Sequence, residues 1–323
     1  MYGRSGKHPF QSWHGELPGT LPMMTGVGEA PCEILSYESD GLPKEYLGQL
    51  LVTSWADHRV ERYQVKPHGA SFKAERLPFV QGGRDFRPVG LCIAPDGSLF
   101  VTDWVKSDYT LHGKGAIWHV RWKDAPKAER PTEPEKAILS MHRPLRETAA
   151  RALSVNAKGR EVLRRHFLTH ADPRVRAIAA STLAEAKEVT SLLLRIGGDP
   201  EVGVHEICVQ ALAAAKYDVK DYLGAKHPMS VRRLAVAGLQ VPGQAGDDVR
   251  FADLLKDPDP FLRHAAIRRF AQYAGLIGPG DPIDRRTLLL SMRHAVDFAG
   301  SKFKLPPAYL EEPDEETRCS CLP

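Results

Sequence analysis

Two rhythms of apolar and polar positions run along the 323-residue chain. Up to about residue 122 the apolar positions form short alternating or β-branched runs, broken by Gly and Pro, which is how half-buried strands read. Gln49-Leu-Leu-Val-Thr-Ser54 and Leu99-Phe-Val-Thr-Asp103 are predicted strands. They are also copies. Leu50-Leu-Val-Thr-Ser-Trp55 aligns with Leu99-Phe-Val-Thr-Asp-Trp104 at an offset of 49 residues, and each is followed by a second predicted strand, over 58–65 and 115–121. A repeat of about 40–50 residues whose unit is several short strands is the mark of β-propeller blades. Pro95-Asp-Gly97 precedes the second copy, and because Asp-Gly tolerates positive φ it predicts a two-residue hairpin.

Beyond residue 122 the texture changes. Residues 123–136 carry three prolines and eight charges, so 123–142 reads as a linker. Over 143–303 the apolar spacing becomes helical: Val175, Ile178, Ala179 and Leu183 fall at i, i+3, i+4 and i+8, as do Leu262, Ala265, Ala266 and Phe270. Each run opens on a similar phrase, Asp172-Pro-Arg-Val-Arg176, Asp199-Pro-Glu-Val-Gly203, His227-Pro-Met-Ser-Val-Arg232 and Asp259-Pro-Phe-Leu-Arg263. The prolines are spaced 27, 28 and 32 residues apart, which predicts a repeated helix pair of about 30 residues. Residues 304–323 read as a truncated repeat and tail.

The phrase has a local physical sense. Asp172, Asp199 and Asp259 cap the free N–H groups of the coming helix, and Pro is pre-set for its first turn. Arg176, Arg232 and Arg263 admit two roles: binding phosphate or acidic partners, or reaching a carboxylate or carbonyl of the neighbouring unit. The second, structural role is the favoured one.

Composition narrows the classes. With 42% hydrophobic and 26% charged residues the chain is an ordinary folded one. It has no apolar run of about 18 residues and no signal-like start, so no membrane span is expected. Five scattered cysteines without a C-x-x-C or C-x-x-C-H leave no paired-thiol zinc site or covalent haem attachment, and Cys319-Ser-Cys321 reads as a loose tail. Residues 1–122 are neutral, with 13 basic and 13 acidic side chains. Residues 143–303 carry 25 basic against 18 acidic, and 304–323 carry 2 against 5. That surplus is too diffuse for a nucleic-acid surface, which is therefore not expected.

The helical part resembles short HEAT repeats over roughly 165–271. The front part resembles the propeller of PVC-type membrane-bound dehydrogenases, relatives of soluble quinoprotein sugar dehydrogenases. The residues that carry this are 15–22, Tyr37-Glu-Ser39 with Leu42-Pro43, Phe86-Arg-Pro-Val89, and 94–104 running on to His112-Gly-Lys-Gly115. The resemblance implies a multidomain β-then-α fold: a partial propeller of about two blades over 1–122, then an α-α superhelix of HEAT-like repeats. It also implies an exported or periplasmic parent that uses a quinone, calcium or c-type haem, while no cofactor and no metal is expected in this chain itself. A propeller closes with about four to eight blades. Two blades, and a final repeat that stops at Cys-Ser-Cys-Leu-Pro323, make the chain read as a fragment.

Sugar oxidation in that family uses a histidine base, basic side chains on the quinone and bound calcium. His8, His14, His58, His68, His112 and His119 are present, with Asp57, Asp96 and Asp103 close in sequence. No spacing among them singles out a catalytic residue, and the family's histidine belongs to blades outside this sequence. Arg87, Asp96 and Asp103 are the candidates for facing a propeller channel. Against this, Asp57 and Asp103 would cap turns and Arg87 would pair with Asp85 or Asp96. No phosphate-cradling Gly loop, G-x-S-x-G or H-E-x-x-H occurs. The expected function is a non-catalytic scaffold that binds a protein partner through its helices. The alternative is the C-terminal portion of a quinone- or haem-coupled sugar or alcohol oxidoreductase, active only with further blades.

Overall fold

A computed structural model of the chain describes residues 21–108, 110–127, 129–188, 199–239 and 253–271. Strands come first and helices follow. The strands are β1 (Pro31–Ser36), β2 (Leu50–Ser54), β3 (Arg59–His68), β4 (Ser71–Gln81), β5 (Pro88–Ile93), β6 (Leu99–Asp103) and β7 (Ala116–Val120). They form two antiparallel meanders, β1-β2-β3-β4 and β5-β6-β7.

The copied strands are equivalent in space as well as in sequence. Pro31 opens β1 opposite Ser54, and Pro88 opens β5 opposite Asp103. In both pairs the register shifts just after the proline. A proline lacks the N–H a ladder needs, so it stands at the start of an edge strand, where a bulge absorbs the mismatch. Beyond it, Ile34 faces Val52 and Leu91 faces Val101. The amide of Trp55 donates to Ala30 O and that of Trp104 to Arg87 O. Strand β5 lies against β1 and β2, and the two sheets share a core of Tyr37, Leu42, Leu51, Val60, Phe86, Leu99 and Val101. Each large member contributes about 1.5–3 kcal/mol by leaving water.

The β5–β6 connection differs from the expected two-residue hairpin. Ala94 N donates to Ser98 O and Gly97 N to Ala94 O, which encloses three residues, Pro95, Asp96 and Gly97. Of these only Gly97 has positive φ, +84°. Proline's fixed φ near −65° suits the first central position of a type I turn, so the turn starts one residue earlier, at Pro95, and Gly97 takes the left-handed position that follows.

The helices are α1 (Pro134–Ala137), α2 (Arg143–Ser154), α3 (Ala157–Thr169), α4 (Pro173–Glu185), α5 (Val202–Ala214), α6 (Met229–Gly238) and α7 (Pro260–Ala271). The expected stripe is realised on α4, where Val175, Ala179 and Leu183 are buried while Ile178 is half-buried. On α7, Leu262 and Ala266 are buried and Ala265 half-buried; the side chain of Phe270 lies outside the described residues. The chain divides into two compact units. Among the described residues, one holds both sheets and α1–α4. The other holds the turn His68–Ser71 and α5–α7. The first unit runs through the described residues up to Glu188, and the second resumes at Asp199. Within 123–142, Ile138 is fully buried, as is nearly all of Ala137.

Candidate functional site

Of the three channel candidates, two converge. Asp103, at the end of β6, is 3% exposed. Its Oδ1 accepts from the amides of Arg87 (2.7 Å) and Val105 (2.8 Å), and its Oδ2 from Trp118 Nε1 (2.7 Å). Arg87 is almost equally buried. Its guanidinium lies 4.5 Å from the centre of the Trp55 ring and donates to Trp55 O rather than to Asp85 or Asp96. Asp96 stays in the exposed β5–β6 turn, where Ser98 donates to it from amide and hydroxyl and holds its carboxyl below the usual carboxylate range.

These donors bear on the calcium implied by the resemblance. An oxygen ligand to calcium must offer its lone pairs to the ion. At Asp103 they point at three N–H groups, and at Asp57 they meet Ser54 Oγ (2.7 Å) and the amide of Glu29 (2.5 Å). Asp103, with its oxygens so engaged, does not fit a calcium site and caps the turn after β6 through the Val105 amide, whereas Asp57 uses Oδ2 to tie its turn to the Ser54 hydroxyl and to the Glu29 amide. No group of three or more metal-ligating side chains forms among the described residues. The histidines are likewise placed by structure: His58 Nδ1 contacts Phe86 O, His112 Nδ1 accepts from Lys114 N, and His119 stacks on Phe100 with its Nε2 2.6 Å from Ser98 Oγ. His8 and His14 lie outside the described residues.

The helix-opening residues form a recurring clip. Arg176 Nη1 donates to His170 O (2.9 Å) and Ala171 O (2.8 Å), the carbonyls six and five residues before it. Arg263 Nη1 does the same with Asp257 O (2.6 Å) and Pro258 O (3.4 Å). Arg232 reaches Leu223 O and Asp257 Oδ2 instead. Asp172 caps Arg174 N, Asp259 caps Phe261 N and Leu262 N, and Asp199 accepts from Glu201 N ahead of α5.

An open cleft of about 510 Å³ runs between the β4–β5 connection and β7. Phe86, Val101, Trp118 and Val120 give it an apolar wall, with Arg84 and Asp85 at its polar side. Phe86 and Trp118 meet edge to face at 6.4 Å. An apolar concavity with few polar groups is the form a binding site takes. Trp118, which Asp103 orients, is thus the residue shared by the cleft and the buried candidates.

Residues 22–133 match a domain of unknown function, DUF7133. No curated protein matches the chain. The DUF7133 match spans both sheets, the cleft and the Arg87–Asp103–Trp118 cluster.

A second polar cluster was not anticipated from sequence. Ser39 Oγ lies 3.0 Å from His142 Nδ1, both buried. Beside them Asp40 takes a two-pronged ion pair from Arg130 (2.6 and 3.0 Å), and Glu38 accepts from Arg143 (3.0 Å) and Arg146 (2.6 Å). Arg146 carries the same clip, donating to Ser140 O and Met141 O. Burial first, then the charge of Arg130, depresses the His142 pKa. Burial opposes ionisation of Asp40, but the hydrogen bonds and charge of Arg130 outweigh it and lower its pKa. The signal lay in Tyr37-Glu-Ser39, one of the stretches that carried the family resemblance.

Proposed function

We propose that this chain is a non-catalytic protein of the dehydrogenase-like propeller and HEAT-repeat type, whose helices serve as a scaffold for a protein partner. One observation carries the reading: the side chains best suited to chemistry hold the fold itself. Asp103 accepts from three N–H groups, and Arg176 and Arg263 clip main-chain carbonyls. The β-then-α order and the two meanders built to one template are consistent with blades followed by helical repeats. No helix among the described residues is long and apolar enough to cross a membrane.

The test uses the full chain as bait in an extract of its source. Arg151, Lys158 and Arg165 are exposed on α2 and α3, and reversing all three to Glu leaves the buried clips untouched. The expected result is a specific protein recovered by the parent chain and lost by the reversed one at unchanged melting temperature. Equal recovery by both, or none by either, removes the helical surface from consideration. The repeated sheet also favours a second reading, a portion of a quinone- or haem-coupled oxidoreductase that needs further blades. Sugar-dependent dye reduction that appears only when those blades are supplied would select it.

A further inference from the structure

The two sheets share one template but differ in how they end. The first finishes on β4, whose Lys73, Glu75, Arg76 and Pro78 are the charges and proline that keep an edge strand from pairing with other chains. The second finishes on β7, Ala116-Ile-Trp-His-Val120, which contains no proline, carboxylate, ammonium or guanidinium. Three successive residues, Ile117, Trp118 and His119, are exposed on it, with Ile117 at 71% and Trp118 at 51%. Strand β6 occupies one side of β7, and β7 is the outer strand of its sheet. In the first sheet the equivalent strand, β3, has β4 on that side. Among the described residues no strand lies on the other side of β7, which is left without the devices that repel a strand.

We propose that β7 is the interface of a homodimer, in which it pairs antiparallel with β7 of a second copy and joins the two three-stranded sheets into one. The occupant is argued from charge and register. A two-fold axis at Trp118 places Trp118 opposite its mate, Ile117 opposite His119 and Ala116 opposite Val120. No like charges meet, and an aromatic pair stands at the centre. A strand of the β4 type would instead bring Lys73, Glu75 and Arg76 to an apolar edge. The pairing also covers the exposed part of the Trp118 ring beside the cleft. This interface is independent of the helical surface proposed above, and either can fail alone.

Sedimentation of the full chain from about 1 to about 100 µM provides the test. The expected result is a concentration-dependent shift from monomer to dimer mass. Ile117→Lys, which sets a charge on an exposed position of the edge, should hold the chain at monomer mass over that range. Val155→Lys, at a site 78% exposed after α2, should dimerise like the parent. A monomer throughout, or a dimer indifferent to Ile117→Lys, overturns the proposal. Should Ile117→Lys fail to fold, amide exchange of the unaltered chain decides: protection of 116–120 must rise with concentration, and constant protection overturns it.

Discussion

Gly41 and Gly97 approach backbone to backbone, so closely that a Cβ on Gly41 would sit 2.2 Å from the Gly97 carbonyl carbon. Tyr37, fully buried, donates its hydroxyl to Gly97 O at 2.7 Å in the same place. Gly41→Ala must push two main chains apart and is expected to cost about 2–3 kcal/mol, read as a fall in the urea midpoint. Asp103→Ala strands three donors and should cost about 3 kcal/mol, while Asp103→Asn, which keeps one accepting oxygen, should cost less. His142 gives this scale a pH dependence. Its folded pKa lies below the ordinary 6.5, so the unfolded chain binds the proton more readily. Stability therefore falls as pH drops through about 6.5 towards the lower folded value. His142→Gln should flatten that part of the profile in urea titrations; an unchanged slope would remove His142 as its source. Capping by Asp103 was legible because it ends a copied strand. The partners of Arg87 were not, because the Trp55 ring and carbonyl that hold it leave no charge pattern in the sequence.

At the scale of elements, the same clip recurs at Arg146, Arg176 and Arg263, each donating to carbonyls six and five residues upstream. The chain before each helix must turn sharply, and its carbonyls need donors once water is excluded. A guanidinium supplies several in one plane, which an ammonium cannot. Arg176→Lys is expected to lower stability by about 1–2 kcal/mol and Arg176→Ala by about 2–3 kcal/mol. If lysine proved equivalent to arginine in thermal melts, planar donation would not be the reason for the clip. The Asp-Pro-x-Val-Arg phrase made the helix starts and caps visible in advance. Arg146 escaped because His142-Arg143 stands where the phrases of Arg176 and Arg263 have Asp-Pro, although the geometry is shared. The carbonyl targets had no trace at all, since every residue carries one.

For the whole molecule, residues 123–142 decide how far the two kinds of secondary structure depend on each other within the unit that holds both. Proline and charge made this stretch read as a linker, a judgement composition could reach because Lys127 and Glu129 are indeed exposed. What composition could not show is the anchoring: Arg130 pairs with Asp40 and donates to Pro95 O, Ile138 is buried, and Glu38 binds Arg143 and Arg146. The ion pairs among these join residues 90 to 108 positions apart in sequence, so neither partner announces the other. A protease nick at Lys127 should therefore leave two pieces that co-elute on gel filtration and part only in denaturant. A chain cut down to residues 143–303 loses the Glu38 carboxylate and leaves the Arg146 charge, only 4% exposed as a side chain, without its acidic partner. Breaking a buried pair from one side costs about 3–5 kcal/mol, so the shortened chain should melt well below the parent, and Arg146→Leu in the shortened chain should restore part of the loss. Equal melting of the shortened and full chains would show that the helices do not draw on the sheets for their stability.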